Sequence, residues 1–447
     1  MTPCRAGLAI SGRFTPTVSC GAAVTGVEAS SCVVGLPESA CLDSSGQTER
    51  MSPSRESTEP SIRSLAMAVY VPIVIFAIGE GAVIPFIVLG AQDRGASASV
   101  AGAIFALTGV ASILFAIPAG SLISRFGGRR AAAASVGFVL VGLLGVVLGS
   151  SVAVYALSIF VLGFGWATWR LVRFDFLVGI VGLDKRGRAL SVMGGAQRMG
   201  HFVGPLLAAA AATVMGLNGA FLLHMGVAVV ALTVFVSVPL TNVEKRPRRQ
   251  RLKLRGLASE HRTSFRVAGT GLIALIILRS ARPVALPLWA IHIGLDPAAV
   301  GVIFGVSAAI DTAMFYPAGV VMDRFGRKWA AIPSIVLLAA SFLVMPLAGG
   351  FGSLLSVGLL MGLGNGLGSG YGATLGSDLA PTEGRAEFLG MWSIVANLGT
   401  IGGPLILGGI VAIASLGVAS VTIGVIGVVG AAHIAFRVPE TLVRPDR

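Results

Sequence analysis

Apolar residues in this chain come in long runs, and polar residues gather in short stretches between them. Twelve runs stand out, at 64–90, 98–123, 131–149, 153–180, 190–214, 218–240, 266–292, 297–321, 329–347, 351–377, 387–413 and 415–437. Crossing the hydrocarbon core of a bilayer takes about 20 mainly apolar residues in a helix, so each run predicts one membrane span. An even number of spans places both termini on one side. The connectors after runs two, four, six, eight and ten carry Arg125, Arg129, Arg130, Lys185, Arg186, Arg188, Arg324, Arg327, Lys328 and Arg385. The long connector 241–265 adds Lys245, Arg246, Arg248, Arg249, Arg251, Lys253, Arg255 and Arg262, whereas the opposite connectors hold only Arg94. Basic residues in short loops are retained on the cytoplasmic side, which puts the termini and the central connector in the cytoplasm.

The runs also repeat. Pro118-Ala119-Gly120-Ser121-Leu122-Ile123-Ser124-Arg125-Phe126-Gly127-Gly128-Arg129 returns 199 residues later as Pro317-Ala318-Gly319-Val320-Val321-Met322-Asp323-Arg324-Phe325-Gly326-Arg327-Lys328. The same offset relates Gly102 to Gly301, Phe105 to Phe304, Gly163 to Gly362, Gly200 to Gly399, Gly204 to Gly403 and Pro205 to Pro404. Matches held in register over about a hundred residues indicate a duplicated unit. Duplicated sets of membrane helices are how many secondary transporters are built, with the substrate between the halves. The domain expectation is therefore a leader over 1–63, a six-helix bundle over 64–240, a basic linker over 241–265, a second bundle over 266–437 and a tail over 438–447.

Composition agrees with a polytopic membrane protein. The 447 residues have a mean hydropathy of +0.87, and 12% are charged; a soluble domain carries roughly twice that charge. The net charge of +13 sits in connectors, so it reads as topology and not as a nucleic-acid surface. The linker's basic run suits anionic lipid headgroups as well as a plain solvated connector. Cys4, Cys20, Cys32 and Cys41 all lie in the leader, with no metal-binding spacing, and the Ser-, Gly- and Pro-rich leader is expected to be disordered. Met51 is an alternative start. The spans hold no HExxH, no Cys and no Ser-His-Asp set, so no enzyme and no cofactor are expected; a proton gradient is the expected energy source. A single chain is expected to work as a monomer in a bacterial cytoplasmic membrane.

The repeated Gly-x-x-x-Asp-Arg-Phe-Gly-Arg-Lys loop resembles the hallmark of the major facilitator superfamily, and the resemblance covers residues 64–437. It implies an all-α fold of twelve helices in two pseudo-symmetric bundles that rock about a midplane site. It also implies a cytoplasmic gate at Gly120, Arg125, Gly127, Arg129, Gly319, Asp323, Arg324, Gly326, Arg327, Lys328, Asp378 and Arg385. An acid at Asp323 is expected to face a neighbouring helix N-terminus, where the helix dipole favours negative charge. Ser124 and Gly128 depart from the pattern, which predicts a weaker latch in the first half. Gly200-His201-Phe202-Val203-Gly204-Pro205 resembles the Gly-x-x-x-Gly-Pro element of the family's drug antiporters. Its repeat at Gly399, Gly403 and Pro404 also fits a shared helix bend.

Ionised groups within spans cost roughly 2.5–3.5 kcal/mol each on insertion scales, so each needs a purpose. Glu80, in the first run, is the candidate proton carrier. Arg170 and Arg173 share a helix face; Arg279, Arg282 and Asp311 lie in runs seven and eight, where the arginines either pair with Asp311 or hold an anion. Asp175 is read as a packing partner, and His201 and His224 as packed histidines that titrate near neutrality if exposed. Trp166, Trp169, Asn365 and Tyr371 are candidate cavity residues, the aromatics suiting flat apolar ligands. The alternating glycines from Gly362 to Gly372 lack the strand–helix context of a dinucleotide site. Two functions follow: proton-coupled efflux of small lipophilic compounds, or transport of an organic anion.

Overall fold

The computed structural model describes residues 41–42, 48–49, 69–181, 186–237, 256 and 259–442. The central linker and nearly all of the leader lie outside these, so the expectations for them do too. Within the leader, Cys41–Leu42 (β1) and Thr48–Glu49 (β2) form an antiparallel pair with Cys41 opposite Glu49.

The remaining elements are helical. The first repeat comprises α1 (Val71–Asp93), α2 (Ala98–Leu114), α3 (Ala116–Leu148), α4 (Val152–Ile180), α5 (Arg186–Met215) and α6 (Asn218–Ser237). In the second are α7 (Arg262–His292), α8 (Pro297–Arg324), α9 (Arg327–Val344), α10 (Phe351–Leu367), α11 (Tyr371–Leu379), α12 (Arg385–Ile413) and α13 (Leu416–Phe436). Among the described residues, ten helices are long and apolar enough to cross a membrane, with α10 and α11 counted together. The short α2 and the more polar α5 fall outside that count.

Two of the apolar runs are interrupted, the first at Phe115 and the second beside the positive-φ Gly370. Run 98–123 is split between α2 and the start of α3, and α3 itself is broken at Gly127 (φ 78°, ψ 163°), a conformation open mainly to glycine. Run 351–377 is interrupted between α10 and α11, where Gly370 takes φ 81°. At the ends of the helices away from the basic loops, Ser97, Ser151, Asp296 and Ser415 accept the N–H of Val100, Val154, Ala299 and Val418. Such caps satisfy N–H groups that have no partner within the helix, worth about 1 kcal/mol apiece.

Small residues set the closest helix contacts. Gly204 brings α5 onto α1, where a Cβ would lie 2.6 Å from the Ala82 nitrogen; Gly403 brings α12 onto α7, where it would lie 2.9 Å from the Ala281 nitrogen. The Gly-x-x-x-Gly-Pro segments thus serve the same packing role in each repeat. Other pairings recur as well: α3 with α4 and α9 with α10, α2 with α4 and α8 with α10, α3 with α6 and α9 with α13. The repeats meet along two seams, α5 against α8 and α2 against α12.

Arg94, the lone basic residue among the opposite connectors, ties helix ends together. Its Nε donates to Gly149 O (2.8 Å) and its Nη1 to Gly90 O (2.9 Å). Nη2 donates to Val146 O (2.5 Å), and the guanidinium lies 4.6 Å from the Tyr155 ring centroid. The carbonyls at the C-terminal ends of α1 and α3, which lack helical partners and carry the negative end of the dipole, account for a cation here.

Candidate functional site: a basic cavity between two charge clusters

A cavity of about 440 Å³ lies between the repeats, in the half of the helices nearer the basic loops. Its polar lining comes from Ser112 of α2, Arg170 and Arg173 of α4, Gln197 of α5, and Ser393 and Asn397 of α12. Beyond it the seams are closed by small residues: Gly102 packs on Pro404 and Gly408, Gly109 on Ile401, Gly301 on Pro205 and Ala209, and Gly305 on Leu206.

One cluster belongs to the first repeat. Arg173 is 4% exposed; its Nη2 donates to Gln197 Oε1 at 2.8 Å, while its Nε and Nη1 have no hydrogen-bond partner. Arg170 is exposed, and its Nη2 donates weakly to Ser112 Oγ at 3.4 Å. Glu80 is buried, with His201 Nε2 3.5 Å from its Oε2. Asp175 is exposed and pairs with neither arginine.

The second cluster spans the α5–α8 seam. Arg198 Nη1 lies 2.6 Å from Asp311 Oδ1, and Asn365 Nδ2 donates to Asp311 Oδ2 at 2.7 Å. Arg279 donates to the Asn365 carbonyl, which the end of α10 leaves without a helical partner. Arg282 is buried with its guanidinium 5.6 Å from the Phe304 ring centroid, a cation–π contact. Asp311 is therefore paired with Arg198, and not with Arg279 or Arg282 as the run-seven reading expects. Sequence reasoning missed Arg198 and Gln197 because they lie inside the apolar run 190–214. The cost of an ionised group in that run was the signal available.

The expected aromatic cavity is not formed. Trp169 stacks on Phe76 (centroids 4.5 Å apart, 18° between planes), and Trp166 Nε1 donates to His224 Nε2 at 2.9 Å. That bond makes Nε2 an acceptor and assigns the His224 proton to Nδ1. Tyr371 is 1% exposed at the start of α11. All three rings are consumed by helix packing, and Asn365 serves Asp311.

At the basic end the second copy of the repeated loop is tightly held. Gly326 takes φ 121°, and the first two N–H groups of α9, those of Arg327 and Lys328, donate to Glu440 at 2.8 and 3.0 Å. Arg327 Nε and the Thr441 hydroxyl both donate to Asp378 Oδ2, at 2.9 and 2.7 Å. Arg385 Nη2 donates to Ser377 Oγ at 2.5 Å. Asp323, expected at a helix N-terminus, has an 80% exposed side chain and touches only its own Arg327, at 3.5 Å. Glu440, four residues past α13, occupies the α9 N-terminus instead. Partial burial raises the Glu440 carboxyl, but the N–H donors of Lys328, Arg327, Leu442 and Thr441 outweigh this and hold it below its ordinary value. In the first copy, Ser124 Oγ donates only to Ser121 O, at 3.0 Å.

Two outcomes follow. Asp311→Asn leaves the Arg198, Arg279 and Arg282 guanidiniums without a counter-charge and is expected to cost about 3 kcal/mol, whereas Arg198→Gln leaves one carboxylate still held by Asn365 and costs less. Thermal unfolding of the purified proteins measures the difference; equal losses would contradict the cluster as described. A carboxylate with a lowered pKa stabilises its folded setting above the ordinary carboxylate range and loses that effect as pH falls through the lowered value. Protection of the Arg327 and Lys328 amides from hydrogen exchange, relative to intrinsic rates, should follow that course, and Glu440→Gln should reduce it about tenfold at neutral pH. Unchanged protection would exclude the cap.

A model of the Major Facilitator Superfamily matches the chain twice, over residues 69–281 and 268–447. The chain is 29% identical over 373 residues to the uncharacterized MFS-type transporter YddS of Bacillus subtilis (strain 168), covering 77% of this chain and 84% of that one. Among solved structures it resembles a D-xylose-proton symporter, with 16% identity and a TM-score of 0.66 over 85% of this chain and 98% of that one. A POT family transporter in complex with a thioalcohol-conjugated peptide gives 11% and 0.68 over 83% and 95%. The nucleoside transporter NupG gives 15% and 0.64 over 83% and 98%. These identities carry the fold alone. Two matches to the family model, between them reaching from α1 to the C-terminus, establish that this chain belongs to the Major Facilitator Superfamily and is a membrane transporter, not an enzyme.

Proposed function

We propose that the protein is a proton-coupled carrier of a small organic anion, working by alternating access between two bundles of six spans. The twelve-span reading joins α2 to the first part of α3 as one span, ends that span at Gly127, and includes α5. It is supported by the recurrence of helix pairings at the 199-residue offset. With the basic loops in the cytoplasm of a bacterial cell, the cavity faces inward and the opposite seams are shut.

One observation carries the anion reading. The cavity wall presents Arg170 and Arg173, two N–H-bearing nitrogens of Arg173 are unpaired, and no carboxylate is among the residues lining that cavity. Guanidinium groups bind carboxylate and phosphate oxygens through charge-assisted, often bidentate hydrogen bonds. Efflux of flat lipophilic compounds loses its support, because Trp166, Trp169 and Tyr371 are committed to packing. Glu80, with His201 Nε2 3.5 Å from its carboxylate, is the proton site of this reading. Protonating Glu80 removes the negative charge nearest Arg173, so proton and anion occupancy are linked through that arginine.

Uptake into proteoliposomes tests this across carboxylates, phosphate esters and lipophilic cations, with and without an imposed proton gradient. Anions should be transported, with Arg173→Gln raising KM about 10- to 100-fold and Arg173→Lys recovering part of the loss. Glu80→Gln should abolish gradient-driven accumulation while leaving anion exchange. Transport of lipophilic cations with anions excluded would overturn the reading.

A further inference from the structure

The two seams between the repeats are related by the 199-residue offset, and they are filled differently. The offset relates Arg198 to Asn397 and Asp311 to Ser112. In the α5–α8 seam, Arg198 and Asp311 close on each other at 2.6 Å. In the α2–α12 seam, Ser112 and Asn397 do not meet; both line the cavity. Where one seam carries its own cross-link, the other leaves Asn397 open to whatever fills the cavity, while the Ser112 hydroxyl donates to Thr108 O at 2.9 Å and accepts from Arg170.

The chemistry of that wall is specific. Asn397 presents two N–H donors and a carbonyl acceptor, and Ser393, one turn earlier on α12, presents a hydroxyl. Among the described residues neither side chain has a hydrogen-bond partner in the protein. Facing them across the cavity are Arg170 and the nine-tenths-buried Arg173, whose Nε and Nη1 are unpartnered. A second carboxylate on the ligand would meet only neutral donors on this wall and no cation, and would leave the Asn397 carbonyl without a donor. A hydroxyl, being donor and acceptor at once, matches both Asn397 and Ser393.

We propose that Ser393 and Asn397 form a hydroxyl-binding subsite and that the substrate is a hydroxylated carboxylate. Its carboxylate lies on Arg170 and Arg173 of the first repeat, and its hydroxyls reach Ser393 and Asn397 of the second. The bound solute then bridges the α2–α12 seam as the Arg198–Asp311 pair bridges the other. This rests on the anion reading above and adds the neutral half of the ligand.

Binding to purified protein by titration calorimetry, with three six-carbon probes, tests it. Gluconate carries charge and hydroxyls, hexanoate charge alone, and glucitol hydroxyls alone. Gluconate should bind at least about tenfold tighter than hexanoate, and glucitol should not bind. Asn397→Ala and Ser393→Ala, both at accessible positions, should together reduce gluconate to the affinity of hexanoate without weakening hexanoate, whereas Arg173→Gln should weaken both acids. Equal binding of the two acids, or a gluconate advantage that survives the paired α12 substitutions, overturns the subsite and leaves the anion reading standing. Binding of glucitol without either acid overturns the anion reading, and no binding of any probe overturns both.

Discussion

An ionised side chain inside an apolar helical assembly must be paired, capped against a helix end or opened to water, and that requirement organises this protein. Arg94 and Arg279 are held by carbonyls that helix ends leave free. Arg198 is neutralised by Asp311 across the seam between the repeats. Arg282 lies over an aromatic face. Arg170 opens to the cavity, and the buried Arg173 beside it keeps two nitrogens without a partner. Function is read from the residues whose charge the fold leaves uncompensated.

Duplication supplies the scaffold, and departures from it supply the chemistry. Gly204 and Gly403 make equivalent helix contacts, and Gly127 and Gly326 make equivalent turns. At the same offset Glu80 corresponds to Arg279, Arg198 to Asn397, and Asp311 to Ser112. In the proposed carrier, one seam is held by the protein itself and the other is completed by the cargo. The ion pair lies in one seam and neutral polar groups in its counterpart. The loops at the basic end show the same asymmetry, with Glu440, Asp378 and Arg327 joined in the second copy and Ser124 satisfied locally in the first.

Much of this was legible in the sequence because hydropathy, glycine turns and the repeat are local signals. The ten long apolar helices, the gathering of basic residues at one set of helix ends and the packing role of Gly204 and Gly403 follow from residues read in order. Pairing is not local. Arg198 and Asp311 lie 113 residues apart, and no periodicity says which of three nearby arginines the carboxylate takes. Trp166 and Trp169 suit a ligand slot equally well until Phe76 and His224 are seen against them. Glu440 sits in a segment that reads as a tail, because nothing in its spacing links it to an N-terminus 113 residues earlier.

The central claim is that the cavity holds an anion on Arg170 and Arg173. The most direct measurement is a crystal structure of the protein with a bromine-bearing hydroxycarboxylate, located by anomalous scattering. The account predicts the bromine peak inside the cavity, with the carboxylate within hydrogen-bond distance of the Arg173 Nε or Nη1. A ligand seated against Glu80 with its carboxylate turned away from both arginines, or lodged among Trp166, Trp169 and Phe76, would contradict it.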